Sequence, residues 1–217
     1  MKRKIFLLMG IILAFSLGLS ACGQKDIGEA KAKEIALKYI NQVFDADETE
    51  AVATREQMEC YTDQAGALAT SGDSEFSARW IYFVRVKMAD TMTKYEAYVV
   101  ASTGEVIYAN QHSVNIVLSD EQRDQAEKLY SEETIWGEKH AEAFQALHLA
   151  CYDWATANLE ESRPIVLEAD SGQMPDGAMQ REFTGGFYVV TRDGRVYALS
   201  MSWPSFQVLS ISLISES

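Results

Sequence analysis

The chain has little of what catalytic and metal sites use: three histidines, three cysteines and three prolines among 217 residues. It contains no HExxH zinc motif, no CxxC pair and no GxSxG turn around a nucleophilic serine. The spacing of His112, His140 and His148 does not place two imidazoles on one metal. The sequence therefore predicts no catalytic residue, no metal ligand and no cofactor, and it favours a protein that is not an enzyme.

Positive charge is also scarce, because 19 Lys and Arg residues stand against 32 Asp and Glu residues, for a formal net charge of −13. Such a chain repels phosphate backbones, so nucleic acid is not an expected partner. The hydrophobic fraction of 47% is ordinary for a globular protein. The length suits one large domain or two small ones.

The chain begins with the basic residues Lys2, Arg3 and Lys4, which are followed by an apolar run. This layout is typical of a secretory signal peptide. A helix needs about 20 apolar residues to cross a bilayer, whereas Gly10 and Gly18 interrupt this run. The pattern predicts a signal peptide over residues 1–21.

The run ends in Leu19-Ser20-Ala21-Cys22, which resembles the lipobox of bacterial lipoproteins. In that family the cysteine thiol carries a diacylglycerol and becomes the new N-terminus. Two acyl chains hold a protein on a membrane that one chain would bind only reversibly. The resemblance implies lipid attachment at Cys22, a short tether over residues 22–26, and a place on the extracytoplasmic face of the cell membrane. Cleavage would remove three cations and change the formal charge from −13 to −16.

Two other cysteines, Cys60 and Cys151, leave two possibilities open. An exported protein can hold a disulfide. Alternatively, Cys151 lies within an apolar helical stripe, where a buried thiol behaves as a small hydrophobic group.

Hydrophobic periodicity predicts one helix and a small antiparallel sheet in the first half. Apolar residues recur at helical spacing over residues 26–45, and the polar residues 45–75 show no clear pattern. The stretch ARWIYFVRVKM alternates as a strand does, and two more strands follow, joined at Ser102-Thr103-Gly104.

The second half repeats the order of helix, then strands. Ser119 and Gln122 fit a capping box that opens a short helix, and a longer helix is predicted over residues 133–158. The apolar stripe of this longer helix is Trp136, His140, Ala143, Phe144, Leu147, Cys151, Trp154 and Ala155. This stripe makes His140 an expected core residue.

Four further elements complete the second half. A strand is predicted over residues 163–169 and a loop over residues 170–180. A hairpin with Asp193-Gly194 at its tip and a closing strand follow. The pair Gly185-Gly186 suggests a β-bulge.

The run Tyr98-Val99-Val100 is matched, position for position, by Tyr188-Val189-Val190, and each is followed four residues later by glycine. Either the halves are a divergent tandem repeat, or two hairpins share residue preferences by convergence. The predicted class is α+β, with two small units over residues 27–112 and 119–217, each a helix followed by an antiparallel sheet.

The first half resembles the PepSY domain, on Ile27 with Ala32-Lys33-Glu34-Ile35-Ala36-Leu37 and on the run from Tyr95 to Val106. Gly28, Lys31 and Val100 depart from the family pattern. The resemblance implies a non-catalytic module that binds or inhibits peptidases outside the cytoplasm.

The expected function is therefore a membrane-anchored module that binds a protein or peptide, in the manner of a peptidase inhibitor or regulator. An exposed sheet edge could pair with an extended peptide, and Trp203 with Phe206 forms a candidate contact patch. The alternative is a solute-binding envelope lipoprotein, which would need a roomy pocket with convergent polar groups.

Overall fold

The computed structural model describes residues 26–58, 79–89, 92–112, 115–132, 138–159, 164–173 and 183–215. The predicted signal peptide, Cys22, Cys60, Trp136 and most of the loop after residue 173 lie outside them. No helix in the described part of the chain is long and apolar enough to cross a membrane.

Three helices and eight strands make up the described residues. They are α1 (Glu29–Phe44), β1 (Val52–Met58), β2 (Arg79–Ala89), β3 (Met92–Val100), β4 (Val106–Gln111), α2 (Asp120–Glu132), α3 (Glu138–Asn158), β5 (Ile165–Gln173), β6 (Phe183–Val190), β7 (Val196–Trp203) and β8 (Val208–Ser215).

The eight strands form one antiparallel sheet in the order β1-β2-β3-β4-β8-β7-β6-β5. The α+β class is thus confirmed. The sequence predicted a separate sheet for each half, but β4 pairs with β8 through Tyr108 and Ser212, Ala109 and Ile211, and Asn110 and Ser210. The domain boundaries at 112 and 119 and the tandem repeat stay predictions.

The core lies between the sheet and the helices α1 and α3. α1 buries one side chain per turn, at Ala32, Ala36, Ile40 and Val43. α3 buries His140, Ala143, Leu147, Cys151 and Ala155 in the same way. A row of buried partners crosses the sheet beneath the helices: Ala53, Val84, Ala97, Ala109, Ile211, Leu199 and Phe187. The predicted helical stripes are therefore core-facing.

The predicted starts and turns of several elements are confirmed in detail. The Gln122 backbone N–H donates to Ser119 Oγ over 3.2 Å, and the Ser119 N–H donates to Gln122 Oε1 over 2.9 Å, which is a complete capping box. Gly104 and Gly194 adopt φ values of 80° and 88° in the two predicted hairpin turns. Because side chains other than glycine rarely adopt such values, each glycine fixes a turn.

Strand β1 was missed by the sequence pattern. It lies at an edge of the sheet and buries only Ala53, so it has no apolar alternation for sequence reasoning to detect. Strand β5 continues to Gln173, which corrects the prediction of a loop from residue 170.

The predicted bulge at Gly185-Gly186 is confirmed on one side of β6 only: the pairing with β7 is regular there, whereas the pairing with β5 shifts register at Gly186 and again before Thr184. Gly185 is needed for a different reason: a Cβ there would lie 2.7 Å from Leu147 Cδ2 and 3.0 Å from Phe144 Cε2. Glycine thus lets α3 pack close to the sheet.

We expect Gly185→Ala to lower the free energy of unfolding by about 1–3 kcal/mol, because the added methyl group overpacks the contact with α3. Urea denaturation of the purified protein measures the change. Leu147→Ala alone should cost about 2–5 kcal/mol.

The double variant provides the control. Since Leu147→Ala removes the nearest atom, the two changes together should cost less than the sum of their separate effects. If the changes in free energy of unfolding of the two single variants were strictly additive in the double variant, the close contact between Leu147 and residue 185 would be contradicted.

Candidate functional site

One face of the sheet is turned away from α1 and α3, and we call it the outer face. A single row of paired residues crosses it on all eight strands: Thr54, Phe83, Tyr98, Tyr108, Ser212, Ala198, Tyr188 and Leu167. Ser212 of β8 and Ala198 of β7 are the small residues of this row, and large side chains lie on both sides of them.

The repeated Tyr-Val-Val sequence has a clear structural meaning. Tyr98 and Tyr188 lie in the same row of the outer face, while Val99 and Val189 are fully buried beneath the helices. The alternation of a strand produces this division in both hairpins. The two hairpins are β3–β4 and β6–β7, so they occupy different places in the strand order of the two halves.

The aromatic residues near β3 form a packed cluster. Tyr98 meets Phe83 edge to face at 5.2 Å between centroids and lies 4.8 Å from Tyr108. The Arg85 guanidinium lies 4.8 Å from the centroid of Phe83. Burial, with a smaller contribution from Glu96, raises the pKa of Tyr108 to about 12. The cluster is therefore uncharged apart from Arg85, which suits contact with a partner better than proton transfer at neutral pH.

The two edges of the sheet differ in character. Edge strand β1 carries Arg55 and Glu56, and such charges discourage pairing with a further strand. Edge strand β5 instead exposes Ile165 (59%) and Leu167 (51%) on the outer face, beside the exposed Tyr188 of β6. No strand of the described chain pairs with the free edge of β5. We call Ile165, Leu167 and Tyr188 the β5 edge site.

The opposite side of β5 is held by α3. Val166 packs into the core, and Glu168 Oε1 lies 3.7 Å from Nδ1 of His148. The ring of His148 in turn packs 5.7 Å from that of Phe187. These contacts fix the strand in place while leaving its apolar outer side chains exposed.

The β1 end of the sheet is organised around Asp26. Its carboxylate accepts hydrogen bonds from the Gly28 backbone N–H (2.9 Å), Tyr82 Oη (2.7 Å) and Arg55 Nε (2.7 Å). The Arg55 guanidinium also stacks 4.0 Å above the ring of Trp80. The Gly28 N–H contributes most to holding the pKa of Asp26 below its ordinary value of 3.8, followed by Tyr82. The start of α1 is thereby joined to β1 and β2.

The predicted contact pair lies at the end of β7 (Trp203) and in the turn before β8 (Phe206), and its role in binding stays a prediction. Trp203 is partly buried and stacks on Phe183 at 5.2 Å, whereas Phe206 is exposed at a φ of 56°. Gln122 Nε2 donates to the carbonyl of the intervening Pro204 over 3.1 Å, which ties this turn to α2.

The histidines and the described cysteine have structural surroundings. His140 is buried and stacks on Phe183 at 4.7 Å, as expected for a core residue. Cys151 is a buried free thiol, and burial raises its pKa to about 12. In the residues that the structure describes, no group of three His, Cys, Asp or Glu side chains could hold a metal ion.

Sequence reasoning missed both the β5 edge site and the Asp26 cluster. The alternation of Ile165, Val166 and Leu167 after a proline was a usable strand signal, but it did not show that the strand lies at an edge. Asp26, Arg55 and Tyr82 are far apart in the chain: the pairing of β1 with β2 places Arg55 beside Tyr82, and the hydrogen bond from Ile27 N–H to the Ala101 carbonyl holds the residue next to Asp26 on the sheet.

Comparison with protein-family models finds no match, and no curated protein matches either. Among solved structures, the chain is similar to the Bacillus megaterium YpeB C-terminal domain, with 11% sequence identity and a TM-score of 0.42. The match covers 87% of this chain and 63% of that chain. A likeness at this level carries no argument about function, and the PepSY resemblance stays a prediction.

We expect Asp26→Asn to lower the stability at pH 7, because the carboxylate accepts three hydrogen bonds. A depressed pKa means that the ionised form stabilises the fold above pH 3.8, and that this contribution is lost as the pH falls through the folded-state pKa. The difference in free energy of unfolding between wild type and variant, measured by urea denaturation, should therefore be constant above about pH 5 and narrow as the pH falls below 3.8.

Glu34→Gln is the matched control, because Glu34 pairs with Lys31 at 2.8 Å on an exposed helix surface. Such pairs contribute little, so its stability should equal that of wild type. An Asp26→Asn deficit that stays the same at pH 3 would contradict the role given to the carboxylate.

Proposed function

We propose that this chain is a lipid-anchored, non-catalytic module on the extracytoplasmic face of the cell membrane, which binds an extended segment of a protein partner along β5. The observation that carries the proposal is the free edge of β5, with which no strand of the described residues pairs, together with its exposed residues Ile165 and Leu167. The lipobox resemblance at Cys22 supports the anchor and the location.

Backbone pairing explains how β5 could bind without specialised side chains. An edge strand presents N–H and C=O groups that a further strand can satisfy, and such pairing is a common mode of peptide recognition. The exposed apolar residues Ile165 and Leu167 favour this, since a protected edge usually carries charges or proline at such positions. β1 carries Arg55 and Glu56, whereas on β5 Glu168 lies beside His148 of α3 and the residues exposed on the outer face are Ile165 and Leu167.

The outer-face side chains of the β5 edge site would select the partner. An added strand places alternate side chains on the outer face, next to Leu167 and Tyr188. Burial of these side chains against apolar residues stabilises the complex by about 25 cal/mol per Å² of apolar area. A segment with alternating apolar residues is therefore the expected ligand.

A peptidase is the partner that the PepSY resemblance implies. Peptidases bind chains in extended form, so a strand or loop near such an active site has the conformation that β5 can pair with. Binding there would slow the peptidase without any chemistry by this chain. The expected effect is inhibition that saturates with added module.

We expect a photo-crosslinking amino acid at Leu167 to capture a protein partner in living cells, because that position lies in the middle of the proposed site. Leu167→Lys should then weaken binding of the purified partner at least tenfold, since the charge would be buried at the interface. Surface plasmon resonance measures the affinity.

Val52 provides the control, because it is 46% exposed and lies on the other edge strand, β1. Crosslinking from Val52 and the substitution Val52→Lys should leave capture and affinity unchanged. Equal effects at the two edges would refute binding along β5.

We expect Cys22→Ser to abolish incorporation of radiolabelled palmitate and to release the chain from the membrane fraction. Serine lacks the thiol that carries the diacylglycerol, so two acyl chains are lost together. Palmitate labelling followed by membrane fractionation of cells producing either form measures both effects. Unchanged fractionation of the variant would contradict the anchor.

A further inference from the structure

The proposed anchor lies very close to the folded part of the chain. Only residues 23–25 separate Cys22 from Asp26, which precedes α1 by three residues. A fully extended chain spans at most about 3.6 Å per residue, so the Cα atoms of Cys22 and Asp26 are no more than about 14 Å apart. An acylated Cys22 therefore holds this end of the fold near the lipid headgroups.

Asp26 fixes the anchored end of the chain to the sheet. Its carboxylate is bonded to Arg55 of β1 and Tyr82 of β2, both at 2.7 Å, so it is not the end of a loose arm. The Ile27 backbone N–H also donates to the Ala101 carbonyl over 2.9 Å. These contacts place the anchored end of the chain on the β1 side of the sheet, next to β2 and the β3–β4 turn.

The side chains at this end have the chemistry of a membrane interface. Trp80 is 45% exposed and carries the Arg55 guanidinium 4.0 Å from its ring centroid. Tryptophan is favoured at the headgroup level because one edge of the ring is polar and the rest is apolar. Arginine pairs with phosphate through several N–H groups, and the Arg55 side chain is 41% exposed.

The charges at the start of α1 do not oppose such contact. Glu29 pairs with Lys33 at 2.9 Å, and Glu34 pairs with Lys31 at 2.8 Å. The charges of these four residues at the start of α1 thus cancel, although the chain as a whole has a formal charge of −13. The general repulsion between an acidic protein and a lipid surface is locally relieved.

We propose that Trp80 and Arg55 form a membrane-contact site for the phospholipid headgroups next to the chain's own anchor, and that this contact orients the sheet on the bilayer. The proposal rests on the lipid anchor given under the proposed function. β1 and β5 are the opposite edges of the eight-stranded sheet. Seven strand spacings of about 4.8 Å separate them by roughly 34 Å, so the β5 edge site points away from the membrane toward extracytoplasmic partners.

The test uses the protein purified with its anchor and reconstituted into phosphatidylcholine vesicles whose acyl chains are brominated near the headgroups. Bromine quenches tryptophan fluorescence at short range. We expect the vesicles to quench part of the emission, and we expect Trp80→Phe to lose that quenched part. The three other tryptophans stay in place in both forms.

A lengthened tether is the matched control. Twenty Gly and Ser residues between Lys25 and Asp26 span on average about 25 Å, which keeps the anchor but removes the constraint on orientation. Because the folded part is unchanged, this variant avoids any effect of Trp80→Phe on folding. It should float with the vesicles and lose at least half of the quenching.

The outcomes separate the two proposals. Protein that floats with the vesicles but shows the same quenching in the wild type, the Trp80→Phe variant and the long-tether variant overturns the membrane contact and leaves the anchor intact. Protein that floats with the vesicles but shows no quenching in any form also overturns the membrane contact and leaves the anchor intact. Protein that fails to float overturns the anchor, and the membrane contact with it.

Discussion

The architecture depends on the pairing of β4 with β8. Three residue pairs join four strands from the first half of the chain to four from the second half. Ala109 and Ile211 are both buried there, so the pairing continues the core row between the part covered by α1 and the part covered by α3. Without this short ladder, each half would present one more open edge and a core exposed at its side. The two edges that remain, β1 and β5, are placed as far apart as the sheet allows.

The two edges also differ in the residues that they present. β1 carries Arg55 and Glu56 and is fixed to the start of α1 through Asp26, whereas β5 exposes Ile165 and Leu167 on the outer face and no strand of the described chain pairs with its free edge. A tether that enters beside β1 would leave β5 at the far end, where an extracytoplasmic partner is accessible. The chain would thus act as a short rigid spacer with its attachment point at one edge and its binding strand at the other.

Much of the fold could be predicted because local signals and tertiary packing agree. The stripe of α3 predicted the burial of His140, Leu147 and Cys151, and the Ser119–Gln122 capping box marked the start of α2 correctly. Strand β1 was not predicted, because an edge strand with one buried residue has no alternating apolar pattern. The close packing of α3 on Gly185 was not predicted, because it depends on Leu147, a residue on another element. The candidate site was the least predictable part, since exposure of Ile165 and Leu167 depends on which strands lack a neighbour.

The sequence by itself determined the elements whose causes are local: the helical stripes, the capping box, the two glycine turns and the alternation of most strands. It also supplied the lipobox pattern from which the anchor is proposed. Only the tertiary structure decided that two expected sheets are one, that Tyr98 and Tyr188 share a row, and that Asp26 binds Arg55 and Tyr82. The reason is physical: periodicity and turn chemistry act over a few residues, whereas strand order and edge exposure result from contacts between segments about 100 residues apart, such as Ala109 with Ile211.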